Sequence, residues 1–166
     1  EVAYYGSTVS AQTYIISPWG VVQGRFNSGS TSPTSEAVTT LIRPTPAFIE
    51  NHINRIWTLT GNTLNFSVLD LSITGEHFNN WDSSGNAGSI IIPSGNGDMG
   101  TGLYSLGNSL YVFQRRAIWR LYGSSPANFE LRNVTNEIGM ISKKTLVEWN
   151  DLLVFQSYFG IYLFEG

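Results

Sequence analysis

The sequence has no cysteine, little charge and no long apolar run, and each absence excludes a class of protein. Without cysteine the chain has neither a disulfide framework nor a thiolate metal site. Charged residues make up 13% of the chain, against roughly 25% in an average protein. A net charge of −3 does not favour specific nucleic-acid binding. No apolar run approaches the roughly 20 residues of a transmembrane helix, so the sequence predicts no membrane span.

Aromatic residues, in contrast, are abundant. They reach 13% of the 166 residues, with five Trp, eight Tyr and nine Phe. Aromatic side chains suit the pleated surface of a sheet better than a helix. Apolar residues do not recur at helical spacing for more than about one turn. The sequence therefore predicts an all-β protein.

The chain contains a diverged internal repeat. Its best copies begin at Asn108 and Asn150, each with a β-rich strand followed by a hairpin partner, at 117–122 and 161–164. Residue identities place the first strands 42 residues apart and the second strands 43 apart, which predicts one extra residue in the second hairpin. Weaker copies begin at Asn54, with its additional length in 70–98, and at Tyr14.

A strand–turn–strand period in the low forties is the size of one propeller blade. The predicted fold is thus a set of about three to four antiparallel blades, either a small ring or an arc of a larger β-propeller. Residues 1–43 are predicted to hold a partial blade and a Ser/Gly-rich loop, and residues 44–166 the other blades. Because blades bury their faces on one another, and the last copy ends with Gly166, we expect further blades from additional sequence or a partner chain.

The search for catalytic chemistry finds no convergent set of residues. His52 and His77 lack partners at metal-ligand spacing, and no GxSxG motif is present. The acidic pairs that spacing allows, Asp82 with Asp98 and Glu137 with Glu148, are not singled out by any pattern. The glycine-rich stretch 94–100 indicates a tight turn, with a single-carboxylate Ca²⁺ site as the alternative. The sequence predicts no catalytic residue, no metal site, no cofactor and no enzymatic activity.

Two features are candidate contact sites. Trp81 lies in a polar loop, whereas the other four tryptophans lie on or beside repeat strands. Arg115, Arg116 and Arg120 form, with Arg132, a cluster of arginines within 18 residues. The cluster is suited to an acidic partner or nucleic acid, and equally to shielding a strand edge or a solvent-exposed face.

A series of motifs, in order along residues 43–166, resembles β-propeller-bearing virion proteins of tailed bacteriophages, of the tail hub, nozzle or adaptor type. The motifs are Pro44 with Pro46, Asn54-Arg55-Ile56-Trp57, Phe66-Ser67, 78–81, 96–100, 107–113, 115–119, 138–142 and 160–164. The first forty residues do not match the series.

This resemblance implies a non-enzymatic structural role in the tail or connector of a virion. The implied partners are other virion proteins, or further copies or segments of the same protein. A second hypothesis is a carbohydrate-binding propeller that contacts a host surface glycan through Trp81. A third hypothesis, a glycosidase, requires a carboxylate pair whose neutralisation abolishes turnover.

Overall fold

The computed structural model describes residues 46–69, 86–93 and 97–166 in full, together with the backbone of the strands within residues 2–35. These residues form fifteen strands and one 3₁₀ turn at Lys143–Thr145, with no α-helix among them. The all-β prediction is confirmed.

The strands form four antiparallel sheets in which neighbours in sequence are neighbours in space. The first sheet holds β1 (Val2–Gly6), β2 (Ala11–Ser17), β3 (Gly20–Phe26) and β4 (Thr34–Ser35); the second holds β5 (Phe48–His52), β6 (Arg55–Thr60), β7 (Thr63–Phe66) and β8 (Gly88–Ile91). The third sheet holds β9 (Gly100–Leu106), β10 (Ser109–Gln114), β11 (Ile118–Tyr122) and β12 (Glu130–Thr135); the fourth holds β13 (Val147–Trp149), β14 (Leu152–Ser157) and β15 (Gly160–Phe164).

The chain divides into two compact units. One contains Glu1–Thr60 with Leu64–Ile90, and the other contains Gly61–Thr63 with Ile91–Gly166. The first two sheets lie mainly in the first unit, and the third and fourth sheets lie in the second. The sequence-based boundary at residue 43 lies outside the described residues and stays a prediction.

Backbone pairing shows the repeat directly. The second strands of the four sheets end at Ser17, Thr60, Gln114 and Ser157. These four residues are separated by 43, 54 and 43 positions. Two residues separate the second and third strands in the first, second and fourth sheets. Three separate them in the third sheet, where the last of the three, Ala117, accepts a hydrogen bond from the N–H of Gln114. The weak copy at Tyr14 has the same hairpin register as the last one, since Ser17 pairs with Gly20 as Ser157 pairs with Gly160.

The spacing of 42 between the first strands of the two best copies is wrong by one residue. Gln114 closes its hairpin on Ala117, and Ser157 closes on Gly160, so neither hairpin has an extra residue. Pairing of β9 with β10 and of β13 with β14 gives the same period of 43. Identity misled because both strands contain the run Val-Phe-Gln preceded by apolar residues. A slip of one residue in a strand moves every side chain to the opposite face.

With the corrected register, the third and fourth sheets pack through faces that are not equivalent in the repeat. We call forward the face of the third sheet that carries Tyr104, Leu106, Tyr111, Phe113 and Ile118. It packs against the opposite, or rear, face of the fourth sheet, which carries Leu153, Phe155, Tyr162 and Phe164. Ring centroids lie 5.3 Å apart for Phe113 and Phe155 and 5.1 Å apart for Tyr111 and Phe164. The sheets thus pack head to tail, like successive members of a series.

The second sheet contains a buried arginine that the composition did not indicate. Arg55 donates from Nη1 to the carbonyl oxygens of Ser67 (2.6 Å) and Asn86 (3.0 Å), and its guanidinium lies 5.6 Å from the centre of the Phe66 ring. Burial lowers the pKa of Arg55. The Asn54-Arg55-Ile56-Trp57 motif therefore supplies the core of its sheet. Pro44 and Pro46 favour a bend after them, with a short helix over 47–53 as the alternative. That interpretation is wrong, because Phe48–His52 form β5, which pairs along β6.

Candidate functional site

The ends of two hairpins and the loop before β9 enclose a cleft in the second unit, here called the arginine cleft. It has a volume of about 290 Å³ and is lined by Gly97, Asp98, Arg115, Arg116 and Tyr158. Arg115 and Arg116 are the first two of the three residues that join β10 to β11, and Tyr158 holds the same repeat position as Arg115 in the next hairpin. The repeat therefore places these side chains at the same end of successive sheets.

Gln114 fixes the floor of the arginine cleft. The side chain is buried; its Nε2 donates to the carbonyl oxygen of Asp98 (3.0 Å) and to Oδ1 of Asn62 (3.4 Å). Its Oε1 accepts a hydrogen bond from Nε1 of Trp119 (2.8 Å). A buried amide with all of these partners holds three chain segments in one arrangement, so the arginines project from a fixed base.

The charge of the cleft is positive on balance. One carboxylate, that of Asp98, accepts a hydrogen bond from the backbone N–H of Arg116 (2.9 Å), which orients the loop at 97–99 against the hairpin. The two guanidinium groups are exposed and form no ion pair with any residue that the structure describes. Guanidinium groups bind carboxylate, sulfate and phosphate oxygens in a bidentate manner, and an exposed tyrosine ring offers an apolar plane for stacking.

The structure separates the arginines that the sequence grouped. Arg115 and Arg116 meet in the cleft, whereas the Arg120 guanidinium lies 5.7 Å from the centre of the Tyr111 ring and 5.0 Å from that of Tyr122. Arg132 lies 4.8 Å from the Tyr122 ring and forms an exposed ion pair with Glu130 (2.9 Å). That ion pair holds the pKa of the Glu130 carboxyl below its usual value. Arg120 and Arg132 therefore cover aromatic rings on the third sheet.

The remaining predicted residues have different outcomes. Trp81, His77 and Asp82 lie outside the described residues, so their roles stay predictions. His52 is buried in the second sheet, where its carbonyl oxygen accepts a hydrogen bond from Nε1 of Trp57 (3.0 Å). Within the described ranges, no group of three or more His, Cys, Asp or Glu side chains comes together to hold a metal ion. The same part of the chain contains no helix long and apolar enough to cross a membrane.

Two parts of the cleft were missed by sequence reasoning. Tyr158 lies between the two strands of a predicted hairpin and belongs to no motif, and the period of 42 matches Gln114 to the exposed Gln156 instead of the buried Ser157. Both residues can be identified by their position relative to the hairpin, because equivalent positions in two copies of the repeat are retained even where the residues differ.

Comparison with known proteins adds no further assignment. No protein-family model matches the chain, and no curated protein matches it at a significant level.

Proposed function

We propose that this chain is a non-enzymatic structural component of a tailed-phage virion, of the tail hub, nozzle or head-to-tail adaptor type. In this proposal the four sheets are successive blades of a β-propeller, which serves as a platform for assembly.

The observation that carries the proposal is the head-to-tail packing of the third and fourth sheets. A propeller requires that the forward face of each blade cover the rear face of the next. Here Phe113 on one forward face contacts Phe155 on the following rear face. Tyr104 adds a hydrogen bond in the same sense, since its hydroxyl donates to Oε2 of Glu148 (2.7 Å). The uniform register of all four hairpins extends this relation to the first and second sheets as an expectation.

The virion role is supported by where the motifs of the resemblance fall. Asn54 lies in a tight turn with φ 51°, and Arg55 and Trp57 are buried in the second sheet. Met140 joins the core between the third and fourth sheets, and its N–H donates to the carbonyl oxygen of Gln114. These two motifs thus belong to the framework of the fold, as expected for a protein whose role is structural.

The test is to locate the protein. Peptides of this chain are expected in purified phage particles, in a fixed ratio to the portal protein, and its gene is expected beside portal and terminase genes. A cellular genome without neighbouring prophage genes, or particles that lack these peptides, would overturn the virion role.

The arginine cleft favours a second function, the binding of a host glycan. Its two guanidinium groups and the Tyr158 ring are suited to a saccharide that carries a carboxylate. On a glycan array we expect acidic sugars to bind more tightly than neutral ones. Replacing Arg115 and Arg116 together by Ala is expected to abolish that preference, whereas Trp81→Ala tests the separate loop that the sequence indicated. Equal binding of acidic and neutral sugars would exclude the cleft as the glycan site.

A further inference from the structure

The forward face of the fourth sheet is apolar and exposed. It carries Val147, Trp149, Val154, Ile161 and Leu163, four of which are more than half exposed. No charged side chain lies among these positions, and Gln156 is the one polar residue on β14 that shares the face. Monomeric proteins rarely leave a contiguous apolar surface of this kind open to water.

The repeat identifies what such a face does. The residues that hold the same positions in the third sheet are Tyr104, Leu106, Tyr111, Ile118 and Arg120. There, Tyr111 and Ile118 belong to the buried core, and Tyr104 and Leu106 pack against it. The free face thus continues an interface that already exists within this unit, one sheet further along.

The outer strand of the fourth sheet, β15, has one partner strand among those that the structure describes. In the third sheet the strand β11 pairs on its outer side with β12, whereas β15 pairs with β14 alone among the described strands. Unpaired strand edges are sites where another chain adds. This edge of β15 borders the apolar face, so both features direct a partner to the same side of the molecule.

We propose that this forward face docks the first sheet of a second copy of the chain. The inference deepens the proposed assembly role and rests on it for the kind of occupant, a sheet of the same repeat. The first sheet fits because its register is that of the fourth: Ile15 holds the position of Phe155, and it pairs with Val2 and Val22. Copies associate head to tail, which yields closed rings or open chains of copies.

The first experiment measures self-association of the 166-residue chain by analytical ultracentrifugation over about 1 µM to about 200 µM, where mass action reveals a weak interface. We expect association that increases with concentration. Ile161→Lys is expected to weaken it by about tenfold or more, because the ammonium group has no partner in an apolar interface. Ile91→Lys is the matched control, since Ile91 and Ile161 are 77% and 75% exposed and Ile91 lies on β8. A chain that stays monomeric throughout, or equal weakening by both variants, overturns the proposal.

The second experiment identifies the occupant and uses the absence of native cysteine. Gln156 holds the position of Phe113, whose ring centre lies 5.3 Å from that of Phe155. Facing sheets pack about 10 Å apart, beyond the ~7 Å between Cα atoms that a disulfide tolerates, so the cross-link is made with a short bis-maleimide. We expect the reagent to join Gln156→Cys in one copy to Ile15→Cys in another, and to leave Gln156→Cys alone unlinked. Cross-linking of Gln156→Cys with itself would show two identical faces in contact and overturn the head-to-tail arrangement. Neither outcome bears on whether the protein is found in virions, so failure here is distinguishable from failure of the proposed function.

Discussion

The third and fourth sheets share one register but differ in their surroundings. In the third sheet every residue of β10 is buried, so both faces of that strand are covered. In the fourth sheet β14 alternates between buried and more exposed residues, and only the rear face is covered. Ile118 and Ile161 hold the same position, yet they are 1% and 75% exposed. The difference teaches that, at this position, burial depends on whether another sheet packs against the face and not on the residue type.

The difference between the two sheets is tested most directly by truncating Ile118 and Ile161. Ile118→Ala is expected to lower the free energy of unfolding by about 2–5 kcal/mol, because it leaves a cavity in the core. Ile161→Ala is expected to change it by less than about 0.5 kcal/mol at concentrations where the chain is monomeric. Urea denaturation of the two variants checks this, and equal losses would show that the fourth sheet is covered on both faces.

The comparison extends to the second sheet, where His52 holds the position of Leu106 and Trp149. Burial lowers the pKa of His52 from 6.5 to about 4. The unfolded chain therefore takes up a proton at higher pH than the folded one, and stability falls as the pH drops from about 6.5 to about 4. The expected loss is at most about 3 kcal/mol.

Denaturation curves measured across this pH range for the wild type and His52→Gln isolate the effect, since the variant lacks the ionisable ring. His77→Gln, which replaces the chain's other histidine, is the control. The prediction fails if His52→Gln retains the full pH dependence of the wild type.

The stabilities of variants at Gln114 and Gln156 distinguish a repeat period of 42 residues from one of 43. Gln114→Leu removes the buried partner of Trp119 and Asp98, so we expect a loss of about 1–3 kcal/mol in unfolding free energy. Gln156→Leu affects an exposed side chain and is expected to be nearly neutral. Similar losses in urea denaturation for the two variants would restore the equivalence that residue identity suggested.

The smallest expected effect concerns the first turn of each copy. Ile53, Gly107 and Asn150 hold one position, with φ angles of 49°, 55° and 50°. A β-branched residue is strained in this left-handed region, whereas Gly and Asn adopt it readily. Ile53→Asn is expected to raise the free energy of unfolding by about 1 kcal/mol, and Asn150→Ile to lower it by a similar amount. Thermal and urea denaturation measure both variants, and a change of the same sign in Ile53→Asn and Asn150→Ile would contradict this account.

Much of the fold could be predicted from the sequence, because hairpins leave a local signature of turn residues between β-rich runs. The strands around 110, 118, 155 and 162 were found to within one or two residues. The register could not be predicted, since residues 110–113 and 152–155 are apolar on both sides of the strand and carry no alternation to fix the faces. β5 was missed because Pro44 and Pro46 suggested a bend.

The candidate site was predicted in part. Consecutive arginines in a turn are visible in any sequence, and Arg115 and Arg116 do lie together in the cleft. What separates them from Arg120 is a tertiary contact, the stacking of Arg120 on Tyr111 and Tyr122. The contribution of Tyr158 depends on the packing of one repeat against the next, which no local pattern contains.

The 43-residue period bears on how such a protein evolves. Each segment of that length contains a rear face and a forward face, the two complementary halves of one interface. A tandem duplication of the third sheet's segment would therefore insert a sheet that has both kinds of face. Val112 would then lie opposite Phe113 in place of Phe155, so the new interface would need only side chains to repack. The number of sheets in descendants of such a chain can change by duplication followed by a few core substitutions.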